Sequence, residues 1–493
     1  VDNLGGAAIG TGKWLRRRHK QVQPGSRILW SPRARAMVGA RCLASAPTTR
    51  QALVVGGGIG GLAAAGMLER AGWQVLVRTR QHTAADADGG LFDDALGLWS
   101  PALSSLRAWF GAAPLAALQQ EGCYVRAVDG YHDSRGRRLV GPSAPLGDGS
   151  GNRPSLLFVR RSLLLATLRG ACGPRVSFCP DVPGSPGGWL AAAADGREGD
   201  DEPAFDLLIG ADGVDSAVRT ALLPHAGVPV DWGFTVYRGL AGGPGSASAE
   251  SLLPDGRSYQ AWGTRAHRFA AVPAGGGCVA WFLTARGPLP AEVATAAGAR
   301  AFVRRTAHSE FAPCAASLVD ATADAELGPP VRARAHAFSF LRGPPRVRAP
   351  GFSLASGRPG MRPGVALVGD AAQTLDPILA QGAGVAIEDA AELAACVGGW
   401  SRAEGGPTLA VLLERYATAR APRLRALGAV SLVADAAGQL SGAAAAARDV
   451  GLRALPSAIK SPAFEALLYL SLAPAPLAGR WRYEPPGPPP LYL

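Results

Sequence analysis

An α/β fold is predicted for this chain: a parallel-sheet domain assembled from two separated segments, an inserted and mostly antiparallel β-sheet domain, and a helical C-terminal region. Three observations predict it. Three short apolar runs, far apart in sequence, each end in a glycine-rich or Gly-Asp turn followed by a helical pattern. Between about Val228 and Phe340 the texture changes to short alternating segments such as Phe234-Thr235-Val236-Tyr237 and Cys278 to Leu283, the pattern of antiparallel strands. From Leu409 to Leu472 the chain is rich in Ala, Leu and Arg, hence helical. The expected organisation is residues 1–50 as a leader, 51–227 and 346–425 as two parts of the parallel-sheet domain, 228–345 as the inserted sheet, and 426–493 as a helical region with a Pro-rich tail.

Composition limits what the chain can be. Its 493 residues are 48% hydrophobic and 18% charged, which is globular rather than disordered. The net charge of +12 is concentrated in residues 1–50, where ten Lys or Arg stand against Asp2 alone, so the remainder is close to neutral. An extended nucleic-acid face is therefore not expected. An Arg-rich, acid-poor leader suits an organelle transit peptide, plastid in preference to mitochondrion; the alternative is a disordered N-terminus, with a cytoplasmic location. The seven cysteines form no CxxC pair and the seven histidines no HxH or HExxH spacing, so neither a disulfide framework nor a metal site is expected. No apolar run is long enough to span a bilayer; Phe464 to Leu477 would at most make a peripheral membrane contact.

Residues 51–80 read as strand, turn, helix, strand. Ala52-Leu53-Val54-Val55 runs into Gly56-Gly57-Gly58-Ile59-Gly60-Gly61, a GxGxxG, and Leu62 to Ala71 has helical spacing before Gly72 stops it. In this Rossmann-like βαβ context Gly56 permits the tight turn, Gly58 lets the backbone approach a pyrophosphate, and Gly61 lets helix and strand pack closely. The phosphate would then lie at the positive end of the helix. A carboxylate usually ends the second strand to grip a ribose, but here the sequence is Arg78-Thr79-Arg80, and Thr79 offers one neutral hydrogen bond. A second apolar run, Phe205 to Ile209, leads into Gly210-Ala211-Asp212-Gly213 and a Ser-capped helix that holds Arg219. The third, Val365 to Val368, leads into Gly369-Asp370-Ala371-Ala372, then Pro377 and Gln381-Gly382-Ala383-Gly384.

These three motifs, in this order, resemble the para-hydroxybenzoate hydroxylase-type flavoprotein monooxygenases, in the branch of zeaxanthin epoxidase and salicylate hydroxylase-like enzymes. Further matches are Gly97-Leu98-Trp99-Ser100-Pro101, Phe158-Val159-Arg160-Arg161, Tyr237-Arg238-Gly239, Trp262-Gly263, Trp281-Phe282 and Arg415-Tyr416 with Arg420 and Arg423, so that the resemblance spans roughly residues 51–425. It implies FAD as cofactor, NADPH or NADH as transient electron donor, and O2 and a small organic molecule as co-substrates. The implied reaction is hydroxylation of an aromatic ring or epoxidation of an isoprenoid through a flavin hydroperoxide. Gly56, Gly58 and Gly61 would serve the pyrophosphate, with Thr79 and Arg80 at the ribose position. Asp212 and Gly213 would serve the pyrophosphate region and the nicotinamide groove. Gly369 and Asp370 would hold ribityl or ribose hydroxyls, and Arg161 would reach the FAD from the side.

Pro377 would lie near the reactive edge, and the backbone amides of Gln381, Gly382 and Ala383 would face the isoalloxazine, where N–H dipoles stabilise the charge left by reduction. Tyr237 and Arg238 are candidates for the pocket wall; strand alternation puts them on opposite faces, so only one can face it. Trp262 and Trp281 are expected in the core. Two positions depart from the family: Gln373 replaces a usual His, and Ala380 a usual Gly. An isoprenoid flavin reductase or cyclase, and a non-catalytic FAD-binding protein, are the alternatives.

Overall fold

Apolar runs that are remote in sequence meet side by side in a six-stranded sheet. The computed structural model describes residues 49–79, 92–128, 130–141, 144–147, 154–180, 205–222, 229–243, 249–253, 257–335, 353–354, 364–401 and 406–472. The strand order is Val176–Pro180, Gln74–Thr79, Gln51–Val55, Leu207–Gly210, Gly364–Leu367, Ser353–Leu354. All neighbours are parallel except the last pair. Val55, Gly210 and Leu367 fall in register, so the three glycine-bearing turns that follow them open at the same edge. That edge, outside the carboxyl ends of parallel strands, is where such sheets bind ligands.

Helix Ile59–Arg70 is apolar almost all round and buried, as a helix wedged between a sheet and other helices must be. It packs with Gly382–Val397 over the sheet, and Leu62, Met67, Leu68, Val385, Ile387 and Leu393 share one core with the strands.

The second sheet has seven strands, in the order Val331–Ala335, Val230–Ala241, Cys278–Arg286, His267–Gly275, Tyr259–Trp262, Tyr131–His132, Arg138–Val140. One face is covered by helices Ala296–Glu310 and Pro313–Asp320, burying Tyr237, Phe269, Trp281 and Leu283. The other face turns toward the parallel-sheet domain. Here the sequence-based division needs two corrections. Tyr131–His132 and Arg138–Val140 precede residue 228 yet extend the inserted sheet; two- and three-residue strands carry too little periodicity to be read. The division at 425/426 falls inside helix Leu409–Gly438, which continues through Pro422 and is followed by Gly442–Ala454 and Ser457–Leu472. No helix among the described residues is long and apolar enough to cross a membrane. Residues 1–48 of the leader, on which the transit-peptide reading rests, and Arg80 lie outside the described residues.

Candidate active site

The glycine turn after Gln51–Val55 is shaped by contacts that exclude side chains. Gly56 has φ of +114°, and a Cβ there would stand 2.3 Å from the Ala211 carbonyl oxygen. A Cβ on Gly61 would stand 1.9 Å from the Gly56 carbonyl oxygen. Gly58 differs: it is exposed, and a Cβ there would meet nothing within 4 Å. It begins helix Ile59–Arg70, whose first turn has no acidic residue and no side-chain cap. The turn therefore offers an open backbone and unopposed N–H groups, the requirements for a phosphate. Thr79 is buried with its hydroxyl against Gly57, where a carboxylate would otherwise be expected.

The two Gly-Asp motifs are tied together by Arg219, which is fully buried and donates to the carbonyls of Ala371, at 2.9 Å, and of Val214. Asp212 accepts from Ser216 Oγ at 2.6 Å and from the Ala217 N–H at 2.7 Å, and thereby caps the helix Ala217–Leu222. Its role in the structure is to shape the turn, leaving Gly213, at φ of +82° with open space beside it, as the accessible element. Gly369 is held by Asp389, which accepts its N–H at 2.9 Å. Asp370 is solvent-accessible but lies in a cleft whose burial pushes its carboxyl above the usual range, against the opposing fields of Arg161 and Arg219.

Residues 376–381 form a loop fixed from four sides. Asp376 accepts the Ile378 N–H at 2.8 Å and starts the turn Pro377–Leu379. Trp99 Nε1 donates to the Leu379 carbonyl at 3.1 Å. Ala380 adopts a left-handed conformation, φ 50° and ψ 41°, close against Gly97. Gln381 is buried, its side-chain oxygen accepting from Arg423 at 3.3 Å, and it begins helix Gly382–Val397. That helix also has no acidic residue in its first turn and no side-chain cap, and Gly382 is exposed with open space beside it. Pro377 is exposed at the rim.

Opposite this loop lies the free face of the inserted sheet. Arg238 pairs with Phe282, Phe282 with Ala270 and Ala270 with Gln260, a straight row across four central strands. All four are only half-buried. The rows on either side are buried: Thr284, Arg268 and Trp262 on one, Leu240, Ala280 and Val272 on the other. A half-exposed row between buried rows is the floor of a trough. Phe282 and Ala380 pack against the same apolar cluster, which also contains Trp99 and Phe158. The trough thus lies on the side of the loop and of the Gly-Asp motifs.

No family model matches the chain. It is 28% identical over 352 residues to the aurachin C monooxygenase/isomerase of Stigmatella aurantiaca, covering 70% of this chain and 80% of that protein. Over a shorter stretch of 183 residues, 36% of this chain and 42% of the relative, it is 28% identical to a probable 2-heptyl-3-hydroxy-4(1H)-quinolone synthase of Rhodococcus erythropolis. Among solved structures, Klebsiella pneumoniae HpxO with FAD and uric acid aligns at a TM-score of 0.63 and 22% identity, over 87% of this chain and 98% of that one. Pseudomonas aeruginosa PqsL with 2-aminobenzoylacetate aligns at 0.56 and 18% over 83% and 100%. The chain is thus similar in sequence to a monooxygenase and shares the fold of these solved structures, HpxO among them with FAD bound.

FAD fits the residues present. The open side of Gly58, the two uncapped helix starts at Ile59 and Gly382, the positive-φ Gly213 and the cleft carboxyl of Asp370 all lie at one edge of the sheet. Gly56, Gly58 and Gly61 would hold the pyrophosphate, and the amides that begin helix Gly382–Val397 the isoalloxazine. Arg161 does not reach outward freely: it grips Asp94 through Nε at 2.6 Å and Nη2 at 3.1 Å. Tyr237 leaves the pocket wall. It is buried against Phe302 on the far face, and burial pushes its hydroxyl up to about 12. Arg238 is the member of that pair that faces the trough, and it too donates to Asp94. Trp281 is core, donating to Thr322 at 2.8 Å. Trp262 is buried as well, but on the trough side, stacked on Tyr131.

Sequence reasoning missed Asp94, Arg268, Asp376, Gln260 and Phe282 as functional positions. Arg268 reaches from the sheet to Asp435 at 2.9 Å and to Asp376 at 3.4 Å, joining the loop, the sheet and helix Leu409–Gly438. Burial, with Asp435 nearby, pushes the Asp376 carboxyl up to about 6 despite Arg268. A raised value means that the folded state binds the proton more tightly. This contribution to stability is complete below about pH 4 and is lost as pH rises to about 6. In an Asp376→Asn variant the melting temperature should therefore gain on that of the parent between these limits and run parallel above them. The change should be at most about 3 kcal/mol by the usual free energy per pKa unit, measured by thermal unfolding at stepped pH.

Ala380 supports a second expectation. A left-handed non-glycine residue costs ~1–2 kcal/mol, whereas Ala→Gly loosens the unfolded chain at ~0.4–1 kcal/mol. Ala380→Gly should then be neutral to stabilising by about 1 kcal/mol, with a matching rise in melting temperature.

Proposed function

We propose that the protein is an NADPH- or NADH-consuming monooxygenase that inserts one atom of O2 into a ring compound lying in the trough of the inserted sheet. The observation that carries this is the trough itself, facing the loop Pro377–Leu379 and the amides at Gly382. Bound FAD supplies the electron transfer and the oxygen activation. The chain supplies the rest: uncapped N–H groups for the negative charge of reduction, a fixed loop to set distance, and walls of Phe282, Ala270 and Trp99 that exclude water. The similarity to a probable quinolone synthase supports a fused-ring substrate rather than an isoprenoid alkene.

The test is the flavin spectrum of the full chain with FAD, followed after addition of NADPH or NADH with and without air. Bleaching followed by recovery only in air, with oxygen found in an added quinolone, is the expected result. Reduction without recovery in air would favour the reductase or cyclase reading, and failure to retain FAD the non-catalytic one.

A further inference from the structure

We infer that the trough is a subsite for a neutral, planar fused ring carrying a carbonyl or ring N–H, and that Gln260 and Ala270 determine this specificity. The inference rests on the monooxygenase reading above and deepens it. The cation at one end of the trough, Arg238, is already partnered. Its Nη1 donates to Asp94, a side chain only 5% exposed that is gripped from the other side by Arg161. A substrate carboxylate placed beside Arg238 would meet the Asp94 charge at close range in a poorly solvated site, and the repulsion there is far stronger than in water. A neutral carbonyl would not. The Arg238 side chain is 18% exposed, and its guanidinium carries five N–H donors, more than Asp94 takes up, so donors remain for such an oxygen.

At the centre, Phe282 and Ala270 are cross-strand partners. The methyl of Ala270 makes the floor low, flanked on its own strand by the larger Arg268 and Val272, and the Phe282 ring offers an apolar flank. At the far end Gln260 is half-buried and shares the trough face with Ala270, its cross-strand partner. An amide both donates and accepts, so it matches a ring edge that carries N–H or C=O. From Arg238 to Gln260 the row crosses three inter-strand steps, about 14 Å at the usual strand spacing. That length accommodates fused rings together with the groups at both edges. No ionisable side chain other than the partnered Arg238 lies in the row.

The experiment is equilibrium dialysis of the full chain, with FAD present, against 4-quinolone and 4-quinolone-3-carboxylate. The neutral ring should bind at least tenfold more tightly than the carboxylate. Gln260→Leu should weaken the neutral ring about tenfold, the size of one lost hydrogen bond. Ala270→Leu, which fills the floor, should weaken it further, and both variants should retain FAD. Asp94→Asn, which frees the Arg238 charge, should shift the ratio at least tenfold toward the carboxylate. Equal or tighter binding of the carboxylate by the unaltered protein, no binding of the neutral ring, or indifference to Gln260→Leu and Ala270→Leu would each overturn the inference. Because dialysis reads binding rather than turnover, a protein that binds the neutral ring but does not oxidise NADPH or NADH refutes the proposed function and leaves the subsite standing.

Discussion

Gly61→Ala should yield a protein that neither retains flavin nor reaches the parent's stability, whereas Gly58→Ala should lose flavin alone. The two glycines sit three residues apart in one turn, but their surroundings differ. A Cβ on Gly61 would lie 1.9 Å from the Gly56 carbonyl oxygen, a backbone atom that cannot swing aside. The turn must open, or helix Ile59–Arg70 must lift from strand Gln51–Val55. Overpacking of this kind costs about 1–3 kcal/mol, and the upper end applies where the neighbour is backbone. Gly56 shares in that movement, and its φ of +114° is what directs the turn toward Gly58. Gly58 itself has φ of −78° and open space where a Cβ would go, so alanine is tolerated by the fold. The added methyl occupies the approach to the pyrophosphate. Thermal unfolding of the FAD-free proteins should separate Gly61→Ala from the parent and superimpose Gly58→Ala on it. Flavin retained after gel filtration should be low for both. Normal flavin content in Gly58→Ala would place the pyrophosphate elsewhere.

That contrast shows which parts of the site were legible in the sequence. The glycine turn, the two Gly-Asp turns and the start of helix Gly382–Val397 are shaped by backbone within a few residues, so a local pattern specifies each. Their convergence follows from parallel strands in register. The trough is different. Arg238, Phe282, Ala270 and Gln260 come from four strands, and only the pairing register puts them in one row. A slip of one residue would turn Phe282 to the far face and Trp281 to the trough. The contacts of Asp94 with Arg161 and Arg238, and of Arg268 with Asp376 and Asp435, likewise join side chains remote in sequence, and no spacing announces them. Tyr237 shows the same limit from the other side: alternation separated it from Arg238, but the register and the helix carrying Phe302 decided which of the two faced the cleft.

Glu388→Leu should lower stability by about 3–5 kcal/mol, the usual cost of removing one partner from a buried ionic cluster, and flavin should be lost before the protein unfolds. Glu388 is buried in helix Gly382–Val397 and accepts from Arg423 at 3.0 Å and from Arg420 at 3.1 Å. Arg420 also donates to Asp389 at 2.7 Å, and Asp389 holds the N–H of Gly369. Two guanidinium groups and two carboxylates therefore balance in a space where neither sign is solvated. The two arginines hold the Glu388 carboxyl below the usual carboxylate range against its burial, so the charged form is the one the fold requires. Removing it leaves two cations to one anion. Arg423 also donates to the Gln381 side chain, the residue that begins the flavin-facing helix. Relaxation of an unpaired Arg423 toward water would draw on that contact first, which is why flavin release should precede the global transition. Loss of flavin fluorescence quenching on heating, compared with far-UV circular dichroism, separates the two events. The double variant Glu388→Leu/Arg423→Met restores one cation to one anion, Arg420 to Asp389, and should recover most of the stability. It removes the donor to Gln381, so its flavin affinity should stay low. Recovery of both together would mean that the cluster supports the fold alone and that Gln381 is positioned by its own burial.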